Sequence, residues 1–141
     1  AKIRTGGVTP DAIPAPARVA RFLAGCARLR LPFKATAGLH HPIRADYPLT
    51  YAPDAPRATM FGYLNLFLAA ALLHAGGSEE DAARLLEETR LSAFTFGEHG
   101  VRWDGYRLSL ADLAESRRYA LGVGSCSFDE PLADLAAAGL R

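Results

Sequence analysis

The sequence predicts an α/β fold: a parallel sheet with flanking helices and one added β-hairpin, in a single α/β domain over residues 1–141. Three observations carry that expectation. Segments of period-two alternation open, punctuate and close the chain, and segments with apolar residues at helical spacing lie between them. Such alternation of strand and helix is the grammar of a parallel sheet. The opening reads strand, helix, strand, a crossover that in one sheet is normally parallel and right-handed. Half of the 141 residues are apolar, which suffices for one sizeable core.

The elements follow in order. Residues 1–7 read as a strand, with Lys2, Arg4 and Gly6 on one parity and Ile3 and Thr5 on the other. After Pro14 and Pro16, Val19, Phe22, Leu23 and Cys26 recur at helical spacing, with Arg18, Arg21 and Arg28 largely outside that stripe, which predicts a surface helix with one core face. The next strand places Phe33, Ala35 and Ala37 on one face and Lys34, Thr36 and Gly38 on the other, and Pro42 closes it. Residues 44–59 hold Pro48, Pro53 and Pro56 without periodicity, so they read as a long loop of the kind that often covers a site. An apolar run from about Met60 to His74 predicts a buried helix stopped by Gly76-Gly77. Ser78-Glu-Glu-Asp81 caps a second helix ending near Thr89, with Leu85 and Leu86 facing the core.

Phe94-Thr-Phe96 and Val101-Arg-Trp103 flank Gly97-Glu-His-Gly100 and predict the added hairpin. Ser109-Leu-Ala-Asp112 caps a short helix to about Tyr119, and residues 121–124 read as a last strand. Ser127-Phe-Asp-Glu130 with Pro131 forms the start signal of a final helix to Ala138.

Charge and cysteine content narrow the function classes. A formal net charge of +1 gives no global field toward nucleic acid or an acidic membrane. The most apolar run, Leu64 to Leu73, is shorter than the roughly 20 residues that span a bilayer. Cys26 and Cys126 lie far apart and match neither a disulfide framework nor a zinc spacing, and no signal-peptide pattern opens the chain, which predicts a cytoplasmic protein. The expected partner is a small anionic metabolite, with no nucleic acid and no membrane. No cofactor is specified: the chain has neither a P-loop nor a Gly-x-Gly-x-x-Gly fingerprint. Adjacent histidines on an extended segment point opposite ways, and without a His-x-x-x-His pair no metal is expected.

Ligands of α/β folds collect at the carboxyl ends of the strands, which here are Thr5-Gly6-Gly7, Thr36 to His41 and Gly124 to Ser127. Gly6 and Gly7 let backbone amides approach an anion beside Arg4, while Ser125 and Ser127 bring hydroxyls toward a helix N-terminus. Thr36 and Glu130 complete the expected substrate-binding set. A lysine on an otherwise apolar strand must face a carboxylate or a wet cavity, because burying it unpaired costs several kcal/mol. Lys34 is therefore a candidate Schiff-base amine or fixed cation for an oxyanion. His40 or His41 is the candidate proton-transfer group, held by Asp129 or Glu130. Cys126 is a weaker candidate nucleophile at the same helix start.

Lys2-x-Arg-Thr-Gly-Gly7, Pro32-Phe-Lys-Ala-Thr-Ala-Gly-Leu-His-His-Pro42, Phe61-Gly-Tyr-Leu-Asn65 and Gly124-Ser-Cys-Ser-Phe-Asp-Glu-Pro131, in this order, resemble a family of uncharacterised bacterial proteins over nearly the whole chain. The resemblance implies longer relatives whose carboxyl-terminal half, in a (βα)-barrel arrangement, carries these motifs. Longer relatives would account for residues 1–7 reading as a strand already in progress, with an amino-terminal half missing; an exposed sheet edge that pairs with itself in a homo-oligomer is the other expectation. In the family a His often precedes the Gly of the third motif, where this chain has Phe61, which weakens a catalytic role there.

The leading expectation is a lyase- or aldolase-like enzyme segment acting on a phosphorylated or carboxylated carbonyl compound. The alternatives are an anionic-metabolite-binding module without proton transfer and a structural half-barrel fragment that assembles with a partner.

Overall fold

A computed structural model describes residues 1–125, 129–137 and 139. Among them the chain forms five helices and three small sheets. Strands β1 (Lys2–Arg4) and β2 (Phe33–Thr36) flank helix α1 (Pro16–Leu29), and they pair in parallel with Lys2 opposite Lys34 and Arg4 opposite Thr36. The antiparallel pair β3 (Ala45–Pro48) and β4 (Arg57–Met60) follows, then helices α2 (Tyr63–His74) and α3 (Glu79–Glu87). A meander of β5 (Thr95–Gly97), β6 (Gly100–Trp103) and β7 (Tyr106–Ser109) leads to α4 (Leu110–Arg117). Strand β8 (Ala120–Val123) then pairs in parallel with β2, giving the sheet order β1-β2-β8, and α5 (Asp129–Ala137) closes the chain. The expected α/β class and parallel sheet are present.

The core lies on one face of that parallel sheet. Phe33, Ala35 and Ala120 are buried against Val19, Ala20 and Leu23 of α1, Leu66, Ala69 and Leu72 of α2, and Leu85 and Leu86 of α3, and Phe22 meets Phe33 edge to face at 5.9 Å. Period-two alternation sends Lys2, Arg4 and Lys34 to the opposite face, where all three are exposed. Lys34 is therefore not a buried lysine: it stands on an open sheet face, and the expected choice between a carboxylate partner and a wet cavity does not arise. Cys26 is a buried free thiol whose pKa burial raises, the behaviour of a small core residue.

Asn65 is fully buried yet fully used: its Oδ1 accepts from Arg44 N at 2.9 Å, and its Nδ2 donates to Leu85 O at 2.9 Å and Glu88 O at 2.8 Å. It ties the start of the β3–β4 hairpin to two core helices. No helix of the described residues is long and apolar enough to cross a membrane, although α2 alone is apolar on nearly every side.

Three segments differ from expectation. Residues 44–59 are not a featureless loop but the β3–β4 hairpin, pinned by Arg57 Nε to Asp46 Oδ2 at 2.8 Å and Leu49 N to Pro56 O at 2.9 Å. Prolines hid it, yet Pro48 is tolerated because a two-stranded ladder is all edge. Met60 ends β4, and α2 begins only at Tyr63 behind the extended Gly62, since a run that is apolar all round has no phase to mark its start. The added hairpin has a third strand, β7, reached through Asp104-Gly105 with φ of 44° and 80°. The capping-box serine expected for α5, Ser127, lies outside the described residues together with Cys126.

Candidate functional site

The order β1-β2-β8 sets three strand ends side by side, and their backbones touch. A Cβ on Gly6 would stand 2.9 Å from Gly38 Cα, and one on Gly124 would stand 2.9 Å from Ala37 N and 3.1 Å from Thr36 Cα. Small residues are needed at this mouth because main chain packs directly on main chain. Buried Thr5 stitches it: its N–H donates to Thr36 O at 2.9 Å, and its hydroxyl donates to Ala37 O at 2.8 Å. Thr36 returns the bond, donating its hydroxyl to Ile3 O at 3.2 Å. Ala37 and Gly38 then turn the chain with φ of 66° and 77°, and a left-handed alanine costs on the order of 1 kcal/mol. That turn aims the two histidines away from the strand.

His40 is largely covered, with 18% of its side chain exposed. Its Nδ1 lies 3.0 Å from Ser125 Oγ and 3.6 Å from Glu130 Oε2, so residues from the ends of β2 and β8 and the start of α5 meet on one imidazole. Glu130 Oε2 also accepts from Tyr51 of the β3–β4 turn at 3.0 Å. Burial lowers the His40 pKa below its ordinary value, Glu130 partly restores it, and neighbouring His41 lowers it again.

His41 takes the other direction: its Nδ1 lies 2.6 Å from Asp134 Oδ2, and its ring stacks on Tyr47 at 3.5 Å and 9°. Burial, and then the Asp134 charge, raises the pKa of both Tyr47 and Tyr63. The hydroxyl of Tyr47 donates to Ile43 O at 3.1 Å.

The other expected residues fall into smaller groups. Arg4 folds over its own loop, its Nε donating to Gly6 O at 2.9 Å, and the space above Gly7 is filled by Ala12 and the Arg4 guanidinium. Lys34 stands beside Lys2 on the exposed sheet face, and among the described residues no hydrogen bond or ion pair joins it to either histidine. His40, Ser125 and Glu130 are thus brought together, as are Arg4, Gly6 and Gly7, with Thr36 in the ladder between. Ser127 lies outside the described residues.

The sequence reading did not single out Asp134, Tyr47 or Tyr51. Asp134 follows Glu130 by four positions, one helical turn, so one face of α5 presents a carboxylate to each imidazole, and that spacing was available from the sequence.

Chemically the mouth offers an imidazole poised to take or give a proton, a hydroxyl and a carboxylate against it, and cations on the adjoining sheet face. Among the described residues no three His, Cys, Asp or Glu side chains gather into a group that could hold a metal ion. No protein-family model, curated protein or solved structure matches the chain.

Proposed function

We propose that the chain is the segment of a small-molecule enzyme that binds an anionic phosphorylated or carboxylated carbonyl compound at the carboxyl ends of β1, β2 and β8, with His40 transferring a proton. The observation that carries this reading is His40 itself. It is a largely covered imidazole at a parallel-sheet mouth, with a depressed pKa and with Ser125 and Glu130 on its Nδ1. A depressed pKa keeps the ring neutral near pH 7, the form that accepts a proton. Glu130 on Nδ1 stabilises the imidazolium formed when it does.

Lys34 and Arg4 supply positive charge for the substrate's anionic group or for an oxyanion developing on its carbonyl. An exposed lysine suits the role of a fixed cation better than that of an amine activated in an apolar pocket. His41, held by Asp134, orients the turn that carries His40. In the same reading the three parallel strands form an open sheet of (βα)-barrel type, supported by parallel register in both pairs and helices on one face.

The test is an NMR titration with inorganic phosphate, sugar phosphates and keto acids, followed by an assay for exchange of the substrate's α-proton with solvent. Shifts should centre on Gly7, Lys34 and Ser125; Lys34→Ala should weaken binding, and His40→Gln should keep binding but abolish exchange. Shifts confined to other surfaces would overturn the site. Binding in the unaltered protein without any exchange would replace the enzyme by a metabolite-binding module.

A further inference from the structure

The outer edge of β1 lies beside a groove of about 390 Å3 lined by Lys2, Ile3, Arg4, Asp11, Arg18 and Phe22. Parallel pairing commits alternate residues of β1 to β2: Lys34 N donates to Ala1 O at 3.0 Å, and Thr5 N donates to Thr36 O at 2.9 Å. The N–H and C=O groups of Lys2 and Arg4 therefore point the other way, along the groove, and no strand of the described residues pairs with that edge. Side chains of the two faces frame it differently. Lys2 and Arg4 stand on the charged face, whereas Ile3 packs against the core and half-buried Phe22 of α1 lies below.

We propose that this edge accepts an extended polypeptide segment of a partner, one whose residues alternate acidic and apolar. Strand addition supplies main-chain hydrogen bonds through Lys2 and Arg4, and the period of two sends every second side chain of the guest to the same face. Guest carboxylates then meet Lys2 and Arg4, with Arg18 at the groove wall, while the intervening apolar side chains cover Ile3 and Phe22. Three cations against the one carboxylate of Asp11 set the sign of the partner. The same charges disfavour a second copy of β1 along this edge, since Lys2 and Arg4 would face their own kind.

The test is fluorescence anisotropy with a blocked synthetic peptide of alternating glutamate and valine, at low and raised salt, alongside amide hydrogen exchange of the intact chain. Saturable binding weakened by salt, with slowed exchange at Lys2 and Arg4, supports the assignment. A peptide of the same composition in blocked order, a lysine–valine peptide, and one with alternate amides methylated should each bind at least about tenfold more weakly, the worth of roughly one charge-assisted contact. Lys2→Glu and Arg18→Glu should weaken the glutamate–valine peptide and strengthen the lysine–valine one, a reversal that loss of folding cannot produce. Binding indifferent to peptide order or methylation, unprotected Lys2 and Arg4 amides at saturation, or a dimer mass by light scattering without peptide would each overturn it.

Discussion

Replacing Asn65 should cost more than any exposed substitution near the mouth, because the side chain holds three backbone groups at once in a fully buried position. Leucine keeps the branching at Cγ and is the larger side chain, so Asn65→Leu leaves no cavity, and the hydrogen bonds are what it removes. At about 1 kcal/mol net for each of three bonds the loss is about 3 kcal/mol. Leu85 O keeps a second partner in Glu88 N, so the heaviest part falls on Glu88 O and Arg44 N. With an unfolding entropy of about 2 cal/mol/K per residue over 141 residues, this corresponds to a fall in Tm of about 10 °C. Asn65→Asp sharpens the test, since it keeps the acceptor for Arg44 N but turns the donor into an oxygen facing two carbonyls. It should be worse than leucine at neutral pH and recover on acidification, when the introduced carboxyl regains a proton to donate. Urea unfolding followed by circular dichroism at several pH values reads both effects. A leucine variant that loses less than about 1 kcal/mol, or an aspartate variant without the pH response, would refute the account of Asn65 as the clamp between the β3–β4 hairpin and the core helices.

Burial lowers the folded-state pKa of both His40 and His74 below 6.5, so the unfolded chain binds more protons just below that pH, and stability should fall as pH drops through this window. His40→Gln and His74→Gln should each flatten the urea-midpoint profile there, and an unchanged slope would contradict the burial argument. Glu88, held down to about 2 chiefly by its hydrogen bond from Arg90, should contribute stability that is lost as pH falls from about 4.5 toward 2, and Glu88→Gln should remove that acid limb. Gly124→Ala forces a Cβ against the backbone of Thr36 and Ala37 and should cost about 1–3 kcal/mol, whereas Gly122→Ala, with nothing within 4 Å, should stay within about 0.5 kcal/mol; equal Tm shifts would reject the close packing of the mouth. Asp134→Ala should speed amide exchange in α5 while leaving the melting of the core in place, as read by hydrogen exchange and circular dichroism.

Legibility in the sequence followed the strength of the local pattern. The stripe Val19, Leu23, Cys26 placed α1, the Ser78 and Ser109 caps placed the starts of α3 and α4, and Gly76-Gly77 placed the end of α2. Each of these is a local signal whose chemistry is complete within one or two turns. The β3–β4 hairpin was obscured because its pairing joins residues on either side of a turn rich in proline and alanine, and four-residue strands give alternation too little length to stand out. For β7 the local signal is an Asp-Gly pair between short strands, which adds a third strand to the one expected hairpin.

At the site, the meeting of His40 with Ser125 and Glu130 follows from adjacency of β2 and β8, residues 85 apart in the chain. No local pattern encodes that adjacency. Only the general rule that ligands gather at strand ends pointed to it. Lys34 shows the limit of single-strand reasoning: alternation correctly assigned its face, but whether that face is wet depends on what covers the sheet.

The apolar face of the parallel sheet and its carboxyl ends are held by different kinds of contact. On one face, aliphatic and aromatic side chains from three helices bury Phe33, Ala35 and Ala120, and this burial dominates the folding free energy. At the carboxyl ends the joining contacts are of another kind: none of the residues of α5 is buried, and among its contacts Glu130, Pro131 and Asp134 touch His40, Tyr51, Tyr63 and His41. Partly exposed polar contacts are each worth about 1 kcal/mol or less, so α5 can shift without drawing on the apolar core. Both imidazoles face carboxylates on that helix. A bound anion near His40 would therefore compete with Glu130 for the same ring, coupling occupancy of the mouth to the seating of α5. That coupling needs no long-range pathway, because Glu130 and Asp134 lie one turn apart on a single helix and the histidines they hold are adjacent in the chain.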